Sequence, residues 1–190
     1  MADGVDLLDI ADDGLYYDEP AAPEVSALLV RAAGHYGEPE AEHCLLRAYF
    51  LAPEQLIVLV GLYRYYYYQH RLEDALLVAE RSLDVTARRL GLLGGWRRLD
   101  HVALGEAAMR SIGLLRFHLL ALKASAVARM RLGQLAQARE RLAKVVEIDR
   151  RDLLGAGSLL ALLDARLEAL GAHVNPSRPP GERHDQCHPV

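Results

Sequence analysis

The sequence predicts an all-α fold of helix-turn-helix repeats, about three units with an inserted segment and a C-terminal capping helix. Three observations carry this. First, residues 40–53, EAEHCLLRAYFLAP, are followed 34 residues later by DALLVAERSLDVTA. In that register Ala41 falls on Ala75, Leu45 on Ala79, Ala48 on Ser82 and Pro53 on Ala87; a third copy beginning at Gln137 puts Ala138, Leu142 and Val145 in the same places. A unit of this length is a helix pair that cannot bury its apolar face alone and must stack on copies of itself. Second, apolar residues recur three and four apart between breaks at glycine and proline, the signature of amphipathic helices. Third, the chain of 190 residues is 52% apolar and 25% charged, enough to bury a core.

Each element has a local reason. The first helix runs about Glu24–Tyr36 and breaks at Gly37 and Pro39. The second, about Glu40–Leu51, stops before Ala52-Pro53, because the residue before proline resists the helical region. Pro53 suits the first turn of the next helix, Glu54–His70. That helix carries two stripes: Leu59, Leu62, Tyr63 and Tyr66 on one side, and Ile57, Val60, Arg64, Tyr67 and Tyr68 rotated around the axis. A helix apolar on both sides is either central or offers one side to a ligand. Leu72–Leu90 follows, with Gly91 as its cap. Between Ala75 and Ala138 lie 63 residues, 29 more than the period, so an insertion interrupts the array. It reads as a loop containing Gly94-Gly95-Trp96-Arg97-Arg98, a short helix after Asp100, and a long helix to Leu132. Gly133 turns the chain into Leu135–Ile148. Asp152 is expected to cap a closing helix, Leu153–Leu170, that Gly171 ends.

The charge is uneven. Residues 1–22 carry seven acids and no Lys or Arg, whereas the rest of the chain is +3. The expected organisation is an acidic N-terminal tail (1–22), a helical domain (23–171) and a disordered C-terminal tail (172–190). Within the first tail, Leu7, Leu8, Ile10, Leu15, Tyr16 and Tyr17 alternate with aspartates, which reads as a solvated tail or as a segment that docks on the body's own groove. The longest apolar run, Leu56–Tyr63, is far short of the ~20 residues of a membrane span, and the first cation is Arg31, so no signal peptide is expected. The expected setting is cytoplasmic. A body of +3 is too weakly basic for nucleic acid.

Catalysis finds no constellation: no glycine-rich phosphate loop, no HExxH, no nucleophile with a base. Neither an enzyme nor a cofactor is expected. His43 and Cys44 are helix neighbours pointing about 100° apart, and the tail's His184, Cys187 and His188 lack supporting groups; no metal site is expected. The better candidates are the tyrosines around Arg64, since tyrosine gives large contact area with a hydroxyl for specificity. A second candidate is Trp96 with Arg97 and Arg98, near Arg88 and Arg89, a group suited to phosphate or an acidic peptide, unless Trp96 simply plugs the core. Arg97 and Arg98 are expected beside the groove that contains Arg64.

Over about Pro23–Leu170 the chain resembles the tetratricopeptide-repeat family, most specifically where Gly133, Ala138 and Ile148-Asp149 match the turn and second helix of the unit. Val25, Leu59 and Leu122 replace the family's usual aromatic, and the insertion favours a compact bundle over an open spiral. The resemblance implies a groove lined by Ile57, Val60, Arg64, Tyr67 and Tyr68 that holds another protein through an extended or helical acidic and apolar segment. One subset of the family clamps a chaperone carboxylate. Here Lys123 alone has the right type for that clamp, with Ser26 and Val30 at first-unit places. Arg116–Ala124 and Asp152–Ser158 further resemble small repeat proteins encoded among bacterial nitrogen-fixation genes, which implies an accessory role in metalloenzyme maturation. A small-ligand sensor and a self-associating, dimeric structural protein are the other readings.

Overall fold

Three helical hairpins lie side by side and a last helix closes the row, in a computed structural model that describes residues 19–174, with side chains to Leu170. The first hairpin is α1 (Pro23–Gly34) with α2 (Pro39–Leu51), and the second is α3 (Leu56–Tyr68) with α4 (Leu72–Leu90). A turn of 3-10 helix at Trp96–Arg98 and the short α5 (His101–Arg110) form the insertion. The third hairpin is α6 (Ile112–Arg131) with α7 (Leu135–Ile148), and α8 (Ala156–Val174) closes the array. Helix α2 packs on α3, α4 on α6 and α7 on α8, so each hairpin leans on the next. Among the described residues the fold is all-helical and repeat-like.

The repeat register has a packing cause. Ala41, Ala75 and Ala138, the three equivalent positions, are fully buried. A methyl there lets the second helix of each hairpin approach the first. One core fills the first two hairpins around Leu28, Leu45, Leu62 and Tyr66, and another fills the third hairpin and α8 around Leu119, Leu122, Leu142 and Leu163. Leu56, Leu59 and Val85 bridge the two cores with Leu114 and Phe117 packed on them.

Helix ends follow local chemistry, with departures from expectation. Pro23 and Pro39 sit in first turns, Gly91 caps α4 at φ 67°, and Gly133 turns α6 into α7 at φ 75°. Asp100 caps α5 by accepting from the Ala103 amide at 2.8 Å, and Ser111 caps α6 by accepting from Leu114 at 3.2 Å. Two starts lie later than expected. Pro53 belongs to a turn, with the Gln55 amide bonded to Ala52 O, and α3 begins only at Leu56. Asp152 adopts a left-handed φ of 49° and its carboxylate takes the Gly157 amide at 2.9 Å, while Asp149 takes the Leu154 amide. The closing helix therefore starts at Ala156. It also continues through Gly171 to Val174, past the expected boundary. The acidic residues 1–18 and the tail group His184, Cys187 and His188 lie outside the described residues.

If Ala75 sets the approach of α4 to α3, Ala75→Leu overpacks the hairpin. Urea unfolding should show a loss of about 1–3 kcal/mol, whereas Phe50→Ala, at a side chain 87% exposed, should stay within about 0.5 kcal/mol. Equal effects would contradict this placement of the core.

Candidate functional site

Helices α3 and α6 both pack on α4, and a groove opens between them. Leu59, Val60, Tyr63 and Arg64 form one wall, Phe117, Leu120, Ala121 and Ala124 the other, and Ala79 and Ser82 of α4 the floor. The groove is shallow, with a cavity of about 50 Å3, and its lining is almost wholly apolar. Its origin is visible in the repeat register. Where the first and third units carry Leu45 and Leu142, the second carries Ala79, and the missing side-chain volume hollows the floor. Tyr63 closes one end: its hydroxyl donates to Ala124 O at 3.2 Å, tying α3 to α6. Burial and its tyrosine neighbours push the Tyr63 phenol well above its ordinary pKa, so it remains a neutral donor.

The structure divides the expected site residues into three groups. Val60 and Arg64 line the groove. Ile57 is half-buried and packs at the edge of the first core. Tyr67 is half-buried too: its ring stacks on Tyr63 at 5.7 Å and carries the Arg131 guanidinium at 5.0 Å. Tyr68, 44% exposed, meets Tyr67 edge-on. The aromatic row is thus a continuous stack that supports the groove wall more than it lines it. As expected, Tyr66 is core; Arg71 lies over its ring at 4.5 Å, and burial with Glu42 pushes its phenol up to about 12.

The remaining candidates are elsewhere. Trp96 is 8% exposed and packs into the second core, with the guanidinium groups of Arg97 and Arg141 at 4.4 and 5.0 Å from its ring. Arg97 forms a two-point pair with Glu140 of α7, at 2.7 and 2.9 Å. Arg98 lines a separate depression with Leu92, Leu99 and Arg110. None of these three lines the groove, so the expectation that the loop arginines sit beside Arg64 is corrected: a glutamate 43 residues downstream holds Arg97 on α7. Lys123 is also corrected. It is only 4% exposed, and its ammonium donates to Leu154 O in the α7–α8 turn, a structural tie rather than a ligand contact.

The groove residues that sequence reasoning missed are those of α4 and α6. Leu120 stands 63 residues after Ile57, the third-unit offset, so the register that placed Ile57 in the groove also marks Leu120. A second apolar surface lies on the other side of the row, where Leu46 and Phe50 of α2 meet Leu77 of α4, all exposed. Among the described residues no group of three or more His, Cys, Asp or Glu converges as metal ligands, and no helix is long and apolar enough to cross a membrane. Cys44 is buried, with its thiol pushed up by desolvation and Glu40.

Beside the groove floor, His118 of α6 is buried and its Nδ1 meets Thr86 Oγ1 of α4 at 2.7 Å. The Thr86 hydroxyl donates to Ser82 O at 2.8 Å, so the imidazole Nδ1–H is the donor between the two side chains. Burial drops the His118 pKa to about 4.

Over the described residues the chain is therefore an all-helical stack of hairpins with an apolar groove between α3 and α6. No family model matches it, and no solved structure matches it. It is 50% identical over 159 residues to an uncharacterized 19.8 kDa protein in the nifW 5' region of Azotobacter chroococcum mcd 1, an alignment spanning 84% of this chain and 89% of that protein. The chain belongs to the family of that protein.

His118 generates a pH expectation. The unfolded imidazole takes a proton near pH 6.5, but the folded one stays neutral until about pH 4. In that window the unfolded state binds more protons, so stability falls as pH falls, by at most about 1.4 kcal/mol per unit. Denaturant midpoints for His118→Leu should decline less than wild type between pH 6.5 and 4.5; parallel declines would show that His118 is not buried neutral.

Proposed function

We propose that this protein is a non-catalytic protein–protein interaction module that serves nitrogen fixation as an accessory or assembly factor, acting in the cytoplasm. In this reading its hairpins are divergent tetratricopeptide repeats, and the α3–α6 groove receives a short segment of another protein. The observation that carries it is the groove. An apolar trench formed by the missing bulk at Ala79 exposes Val60 and Leu120 to a ligand, with Arg64 at its wall. Among the described residues the Arg64 guanidinium has no acidic partner within ion-pairing distance, whereas those of Arg31, Arg71, Arg81, Arg88, Arg129 and Arg139 do. Apolar walls with one uncompensated cation favour an apolar segment that carries an acid, the helix-in-groove or extended mode of peptide recognition. The nifW-region relative supports the nitrogen-fixation setting. The accessory role we assign within that setting is metalloenzyme maturation.

The experiment is affinity capture from lysate of nitrogen-fixing cells with three baits: wild type, Val60→Ser/Arg64→Ala, and Ala79→Leu, which refills the floor. Wild type should retain a discrete partner that both variants lose by tenfold or more, with thermal midpoints close to wild type for the first variant because Val60 and Arg64 are only half-buried. Undiminished capture by both variants would reject the groove as the binding site.

A further inference from the structure

The chain outside the described residues on the N-terminal side is MADGVDLLDIADDGLYYD, with six aspartates and no Lys or Arg. Its last apolar cluster, Leu15-Tyr16-Tyr17, ends one residue before Asp18 and the first described residue, Glu19. Glu19 is held at a defined place. Its main-chain oxygen accepts from Gln55 Nε2 at 3.0 Å, and its carboxylate takes Arg89 Nη1 at 2.9 Å. Neither anchor lines the groove, but each lies close in sequence to a residue that does. Gln55 caps the start of α3, four residues before Leu59, and Arg89 lies two turns beyond Ser82 on α4. Residues four and seven apart share a helix face, and at 1.5 Å per residue the offsets are about 6 Å from Gln55 to Leu59 and about 10 Å from Arg89 to Ser82. An extended chain covers about 3.3 Å per residue, so Leu15 lies within about 13 Å of Glu19. The chain therefore enters the described fold where α3 starts and α4 ends, within reach of the groove lining. Beside this anchor Arg81 and Arg88 are already taken by the Glu54 carboxylate, at 3.3 and 2.5 Å, and Arg89 also donates to Glu54 O at 2.8 Å.

We propose that the acidic N-terminal segment is itself a ligand of the α3–α6 groove, with Leu15, Tyr16 and Tyr17 laid across its apolar walls and Asp12-Asp13 toward Arg64. The proposal rests on reading that groove as the partner site, and it names the partner chemistry: an acidic, tyrosine-bearing segment that competes with the chain's own copy. The aromatic rings supply contact area for the apolar lining, and the aspartates supply the charge that Arg64 lacks. A short tether gives an effective concentration of about 1 mM, so a segment of only ~100 μM intrinsic affinity fills the groove about nine-tenths of the time. An external partner then binds about tenfold more weakly than to an open groove.

A fluorescein-labelled peptide of residues 1–18 is titrated, by anisotropy, with full-length wild type and with full-length Leu15→Ser/Tyr16→Ser/Tyr17→Ser. The proposal requires about tenfold tighter binding to the substituted chain, weakened by added salt as the charges are screened. Adding Arg64→Glu should abolish it, and a peptide bearing Asp12→Arg/Asp13→Arg should restore binding to that variant, which also shows that the variant is folded. Equal affinity for the two full-length chains overturns the occupancy in cis, and no binding to either overturns the segment as a ligand. In both cases the groove itself stands if Val60→Ser/Arg64→Ala still loses the captured partner, so the two readings fail separately.

Discussion

The packing of α6 on α4 is the contact on which the rest of the structure depends. It joins a third hairpin to the first two across an insertion that the repeat period does not need, and it carries more than apolar burial. Thr86 and His118 form a buried polar pair within it, and Tyr63 reaches across from α3 to the Ala124 carbonyl. Buried hydrogen bonds add little net stability, but leaving one partner unsatisfied is expensive. The pair thus favours one register of the two helices: a slip of α6 by one turn would strip His118 Nδ1 of its buried partner, while Thr86 would keep its bond to Ser82 O. Because α6 is held in this register, Phe117, Leu120, Ala121 and Ala124 face α3 and a groove exists at all.

The insertion is accommodated without disturbing that contact. Asp100 and Ser111 cap α5 and α6 in succession, so the extra chain forms its own short helix and returns. Trp96 is drawn under it, between guanidinium groups of its own loop and of α7. The glutamates of this region are shared rather than free: Glu80 takes both Arg129 and Arg141, and Glu140 takes Arg97. The insertion ties onto α7 through Arg97 and Glu140, and none of its described residues lines the groove.

Helix interiors were legible in the sequence, because a period of 34 and glycine punctuation are local signals; α4 and α7 begin and end where the pattern places them. Helix starts were less so. Pro53 and Asp152 are both good first-turn or capping residues, yet one sits in a turn and the other in a left-handed conformation set by the neighbouring Asp149. In the groove, Val60 and Arg64 were legible from their stripe on α3. Lys123 and Arg97 were not, since their fates are decided by Leu154 O and Glu140, distant in sequence. The floor could have been read: Ala79 is the one small residue in a column otherwise filled by leucine. The tyrosines misled because a stripe names a face, and their stacking turned that face partly inward.

The proposed function requires that the α3–α6 groove, and not the exposed Leu46–Phe50–Leu77 surface, receives a polypeptide segment. Site-specific photo-crosslinking in nitrogen-fixing cells tests it most directly, with a benzophenone side chain placed in turn at positions 60, 120 and 50 of the full-length chain. The account predicts adducts from positions 60 and 120, mapping by mass spectrometry to an acidic aromatic segment of a partner or of residues 1–18, and none from position 50. Adducts from position 50 with silence at 60 and 120 would contradict it.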